Sequence, residues 1–162
     1  MVAQSMGALR IDKIKQGIRI GFALGTVIFG VTLGLFMVFA PQFTGLFLDP
    51  VSDSESFTIS INIIRFLFPF IIFNMFNSLF HGIFRAIGNG SLLFISSLIY
   101  AVSLVLYACI LFAILPQDYK IYGVHLAMAG AYITEMFFTS IMYFTGKWKT
   151  KEYKEMEFKT QE

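Results

Sequence analysis

The chain has 162 residues, of which 57% are hydrophobic and 14% charged; its formal net charge is +2 and its mean hydropathy +0.74. Water-soluble domains carry about 45–50% apolar and about 25% charged residues, so this composition excludes a soluble globular domain. The small net charge excludes a nucleic-acid binder, and the lone Cys109 excludes an internal disulfide.

Residues 1–17 are polar and basic and are expected to form a cytoplasmic segment. The apolar run at 18–40 follows, with Pro41 at its end. It has the length a helix needs to cross hydrocarbon, about 20 residues, and it is too long for the core of a secretory signal. Gly21, Gly25, Gly30 and Gly34 lie in it as two small-xxx-small pairs, a spacing that lets helix backbones approach closely in lipid. Residues 41–56 read as an extracytoplasmic loop, rich in turn formers and acids (Asp49, Pro50, Asp53, Glu55). The second span is expected at 57–80, a cytoplasmic connector at 81–91 with Gly88-Asn89-Gly90 as its turn, and the third span at 92–115 before Pro116. Cys109 sits in that third run and is expected to pack as a small apolar residue. A short extracytoplasmic turn at 116–120 leads to the fourth span at 121–144. Residues 145–162 form a charged cytoplasmic tail, expected to be mainly solvated, with Trp148 where an interfacial anchor belongs. The fold class is therefore an all-α membrane protein with four transmembrane helices.

Four spans put both ends on one side of the membrane. Arg10, Lys13, Lys15, Arg19, Arg85 and the five lysines of the tail share that side, and only Lys120 lies opposite. Basic loops stay in the cytoplasm, so both termini are expected there, most simply in the cell membrane.

The second span is the one the others are organised around. It carries Arg65, Pro69, Asn74 and Asn77 at membrane depth, and polar groups there must face protein or water. Asn74, Asn77, Ser78 and His81 fall on one helical face; Ser96, Tyr100, Ser103 and Tyr107 do so in the third span; Tyr132, Glu135 and Thr139 do so in the fourth. Such stripes form a hydrophilic pathway or ordinary interhelical hydrogen bonds. The pathway candidates are Glu135, Asn74, Asn77, Tyr100 and Tyr132. Glu135 stands apart, because an ionised carboxylate amid apolar neighbours near the middle of a span must be protonated, paired or wet. An acid in that position can exchange a proton for a cation, which is the chemistry of a coupling site; the alternative is a structural bond to a neighbouring helix. Arg65 is expected to snorkel outward. Pro69 removes a backbone hydrogen bond and offers a hinge. His81 and His125 read as boundary residues, since neither has a second histidine or cysteine at ligand spacing. There is no nucleophile–base pair and no phosphate-binding loop, hence no case for an enzyme, a metal site or a cofactor.

The order of features resembles the multidrug and toxic compound extrusion (MATE) transporters. The residues that carry the resemblance are Ala3-Gln4-Ser5-Met6-Gly7-Ala8, the basic stretch from Ile11 to Gly17, Phe39-Ala40-Pro41-Gln42-Phe43 with Leu46, Phe47 and Asp49 after it, Gly82-Ile83-Phe84-Arg85-Ala86-Ile87-Gly88-Asn89, and Tyr122-Gly123-Val124-His125-Leu126-Ala127. The resemblance implies a secondary active antiporter of twelve spans in two six-helix bundles, exporting drugs or other cationic or amphipathic compounds in exchange for Na+ or H+. This chain then corresponds to the last four spans, and the partners it implies are the lipid bilayer, a small-molecule substrate and the N-terminal helices of a longer transporter. Many members of the family carry an acid where Asn74 stands here, and an amide cannot titrate, which leaves Glu135 as the intramembrane acid. Two alternatives remain: a lipid-linked oligosaccharide flippase, disfavoured because Arg65 is the one basic residue at membrane depth within a span, and a non-transporting four-helix module or inactive truncated product.

Overall fold

A computed structural model describes residues 11–159; the sequence block at residues 3–8, Arg10 and residues 160–162 lie outside the described part. The described residues form helices and turns only. Helix α1 is Ile11–Val38, α2 the short Ala40–Thr44, α3 Ser54–Asn62, α4 Ile71–Ala86, α5 Gly90–Ile114, α6 Lys120–Phe144 and α7 Lys151–Lys159.

Among the described residues, three stretches are long and apolar enough to cross a membrane: Asp12–Val38, Ser54–Ala86 and Gly90–Ile114. The fourth expected span is the 25-residue helix α6, equally long but not in that apolar set. Its buried residues are Gly123, Ala127, Ala129, Ala131, Glu135 and Thr139. Small and polar side chains lower its hydropathy on the face that packs against protein, while Phe137, Ile141 and Phe144 are exposed on the other.

The element bounds depart from the sequence expectation in four places, each for a local reason. First, α1 begins at Ile11, inside the segment placed before the first span, and Ile14 and Ile18 of that first part are buried. Second, the chain turns at Phe39 and restarts as α2 with Pro41 in its first turn, where a missing N–H costs no helix bond. The loop that follows is set by Asp49, whose Oδ1 accepts from the N–H groups of Val51 (2.8 Å) and Ser52 (3.0 Å). Those N–H groups, Ser52 first, hold the Asp49 carboxyl below its ordinary value.

Third, the second expected span is one path broken around Pro69. The helix widens into a π turn at Ile63–Leu67, tightens into a 3-10 turn at Phe68–Phe70, and resumes as α4. Proline supplies no N–H, so the ladder skips it, and the N–H of Phe68 reaches back to Ile63 instead. Arg65 sits in this break and is exposed. Helix α4 then runs on through His81 to Ala86, so most of the expected 81–91 connector is helical; the turn is only Ile87–Gly88–Asn89, with Gly88 at φ 77°. Asn89 starts α5 by accepting from Leu92 N–H (3.2 Å), and its amide donates to the Trp148 carbonyl (3.2 Å).

Fourth, the tail is not simply solvated. It turns at Gly146 (φ 71°) and folds back as α7. Tyr153 is 1% exposed, and Trp148 is 5% exposed with its ring stacked on Tyr143 at 5.4 Å, so Trp148 packs into protein rather than serving as a lipid anchor. Both join a core with Ile14, Ile18, Phe80, Ile83, Phe84, Ile87 and Leu92. Burial pushes the Tyr153 hydroxyl up to about 12, so it stays neutral. Lys149 (2.6 Å) and Lys15 (3.4 Å) both reach the Glu157 carboxylate, which ties the tail to the start of α1; the two ends of the described chain thus meet at one end of the bundle.

The Lys149 hydrogen bond is the main cause that lowers the Glu157 carboxyl below its ordinary 4.5. A carboxyl depressed in the folded state contributes stability that is complete above the ordinary value and is lost as pH falls through the depressed one. Acidification through that window is expected to loosen the tail about two- to fivefold in its opening equilibrium, the scale of a partly exposed ion pair. Trp148 fluorescence against pH reads this, and Glu157→Gln is expected to show the loosened signal at every pH. A wild-type signal that stays flat down to full protonation contradicts the tether.

Of the glycines in α1, Gly25 meets the Leu79 side chain of α4, where an added Cβ would lie 3.3 Å from it, while Gly21, Gly30 and Gly34 have no neighbour within 4 Å among the described residues. Cys109 is exposed on α5 instead of packing inside the bundle. Its face of α5 carries Val102, Val105, Leu106 and Phe112, all exposed as well.

Candidate functional site

The polar stripes of α4, α5 and α6 converge on one carboxyl group. Glu135 lies midway along α6 and is 4% exposed. Its Oε2 accepts from Asn77 Nδ2 of α4 at 3.0 Å, and its Oε1 accepts from Ser96 Oγ of α5 at 2.9 Å. His81 Nε2, one helical turn beyond Asn77, lies 3.1 Å from the same Oε1 and also touches Ser96 Oγ. A buried carboxylate is costly unless paired and hydrogen-bonded, and here both oxygens are met.

The shell around these partners fixes their orientation. Asn77 is 1% exposed, and its amide nitrogen also donates to the Tyr132 carbonyl at 3.1 Å. Thr139 Oγ1, fully buried, lies 3.1 Å from Asn77 Oδ1 and 3.1 Å from the Glu135 carbonyl; its single hydrogen serves one acceptor at a time. Further along the same seam the Tyr100 and Tyr132 rings stack at 5.1 Å, and Tyr107 O–H pairs with Thr134 Oγ1 at 2.8 Å.

The His81 imidazole nitrogen and the Glu135 carboxyl oxygen lie within hydrogen-bond distance of each other. The His81 side chain is 22% exposed against 5% for that of Glu135. His81 thus stands between the buried acid and the surroundings. No group of three His, Cys, Asp or Glu side chains placed to hold a metal ion occurs among the described residues.

Of the residues expected to line a pathway, Glu135 and Asn77 are bonded to each other, and Tyr132 joins them through its carbonyl and its stack on Tyr100. Asn74 is half-buried with no side-chain hydrogen bond among the described residues, and Ser78 is exposed away from the cluster. Sequence reasoning placed His81 on the right stripe and assigned it the wrong surroundings, because the helix was expected to end beside it. Ser96 was one of a serine–tyrosine stripe with no feature to set it above Ser103. His125 bonds to its own helix at the Ile121 carbonyl, 3.1 Å.

Long apolar helices around an internal polar cluster define a class: an all-α integral membrane protein. Within that class, the MatE family model matches residues 1–111, more than half of the chain, and the chain belongs to this family, whose members are transporters rather than enzymes. No curated protein and no solved structure matches it. The matched stretch ends inside α5, so Ser96 falls within it and Glu135 beyond it. The case for Glu135 rests on geometry.

Proposed function

We propose that this chain works as the C-terminal part of a proton-coupled antiporter that exports cationic or amphipathic compounds, drugs among them, from the cell. The observation that carries the reading is the buried Glu135 carboxyl, held by Asn77, Ser96 and His81 from two other helices. Family membership supports transport, and the imidazole of His81 beside the buried carboxyl supports H+ as the coupling ion.

When Glu135 is ionised, its charge draws α4 and α5 onto α6. When it takes a proton, the ion pair with His81 is lost and the hold on α4 weakens. Pro69 serves as the hinge, because the break at Ile63–Phe70 leaves α4 free to move apart from α3. Bending at this hinge gates the path while one bundle rocks against the other, which is how such transporters alternate access. The helices of the other bundle are supplied by a longer transporter, Asn74 and the stacked Tyr100 and Tyr132 line the path, α6 crosses the membrane with the other three spans, and both termini lie in the cytoplasm by the distribution of basic residues.

The test is transport of ethidium in everted vesicles from cells that make the native protein. A pH gradient imposed without sodium is expected to drive dye movement, and a sodium gradient at clamped pH is not. Movement driven by sodium alone overturns proton coupling; no movement under either gradient overturns export.

A further inference from the structure

Where the tail folds back, a groove of about 520 Å³ opens between α1, α6 and α7. Its wall is apolar and aromatic, with Ile18, Phe22 and Trp148 among its residues, and its rim carries Lys15, Arg19 and Lys149. Lys15 and Lys149 share one carboxylate, Glu157. Arg19 has no carboxylate within ion-pair distance among the described residues, so these four side chains leave two positive charges uncompensated. Phe144, on the same wall, is 81% exposed, and the groove therefore runs out onto the apolar surface of the bundle. Tyr143 and Trp148 stack on each other in its wall.

We propose that this groove binds an anionic phospholipid, its phosphate held by Arg19 with Lys15 and Lys149, and one acyl chain laid along Ile18 and Phe22. A free phosphate has use for the three cations and none for the aromatic wall. A zwitterionic lipid has use for the wall and gains little from the uncompensated charge. The two features together fit an anionic amphiphile, and basic pockets between helices at a membrane surface select such headgroups. The inference does not depend on proton coupling or on transport.

Trp148 lines the groove and is the only tryptophan in the chain, so it reports occupancy directly. The protein is reconstituted in phosphatidylcholine vesicles doped with brominated phosphatidylglycerol or, at equal mole fraction, brominated phosphatidylcholine, and bromine quenching of Trp148 is recorded. The anionic lipid is expected to reach half-maximal quenching at about fivefold lower mole fraction, the effect of roughly one well-placed basic residue. Arg19→Gln, at an exposed position without an ion pair, is expected to shrink that difference, and Arg19→Lys to restore part of it. Equal quenching by the two lipids overturns the proposal. So does the absence of quenching by either, which means that protein fills the groove, and so does loss of the difference on adding soluble glycerol phosphate, which means a site for water-soluble phosphates.

Discussion

Replacing Glu135 with Gln is expected to reduce proton-driven ethidium movement to the level of vesicles without the protein, while the variant still reaches the membrane. The substitution keeps size and shape and removes the exchangeable proton. Its amide oxygen still accepts from Ser96 and His81. Its NH2 group then faces the Asn77 NH2, and Asn77 relieves the conflict by turning over, so that its oxygen accepts from residue 135 and its nitrogen donates to Thr139 Oγ1. That exchange forfeits the bond to the Tyr132 carbonyl, a cost of about 0.5–1.5 kcal/mol. Folding therefore survives and coupling does not. A Glu135→Gln variant that moves dye at the wild-type rate under a pH gradient removes this residue from the mechanism and leaves it a structural bond between helices.

Gly130→Val is expected to be the most damaging small change to stability, by about 1–3 kcal/mol. An added Cβ at Gly130 would lie 2.9 Å from Tyr107 Cδ2 and 3.4 Å from its Cγ, the inner part of the ring rather than a flexible tip. Tyr107 cannot swing aside cheaply, because its hydroxyl is tied to Thr134, itself bonded to the Gly130 carbonyl. The result is a pried-open α5–α6 seam a turn or so from Glu135. Thermal unfolding in detergent, followed by the fraction that remains monodisperse, measures it. Gly30→Ala is the control: among the described residues no atom beyond its own helix backbone lies within 4 Å of the new methyl, and its melting is expected to match the wild type. A Gly130→Val protein as stable as the control contradicts the close packing of α6 on Tyr107.

Much of this arrangement was legible in the sequence because membrane helices signal themselves by length and apolarity, and because a carboxyl amid apolar neighbours has few acceptable environments. Glu135 and Asn77 stood out for that reason, and Pro69 marked the break in its helix by its missing N–H. What the sequence concealed depended on where helices end and what they meet. His81 was read as a boundary residue because the connector with the Gly88 turn was taken to start at residue 81, whereas α4 continues to Ala86 and carries His81 onto Glu135. Tyr153 and Trp148 sit among lysines and glutamates, and local charge gave no hint that both pack against Ile14, Ile18 and Phe84. The helical form of α6 was foreseen, but its dilution by glycine, alanine and polar residues was not weighed as the mark of a helix that packs along protein.

The most direct test of the central claim is proton release on substrate binding. The native transporter in weakly buffered detergent solution is mixed with ethidium, and the pH change is recorded with an indicator dye, with Glu135→Gln protein alongside. If Glu135 carries the coupled proton, the wild type acidifies the solution as the dye binds and the variant binds dye without acidification. Equal proton release from both proteins contradicts the account.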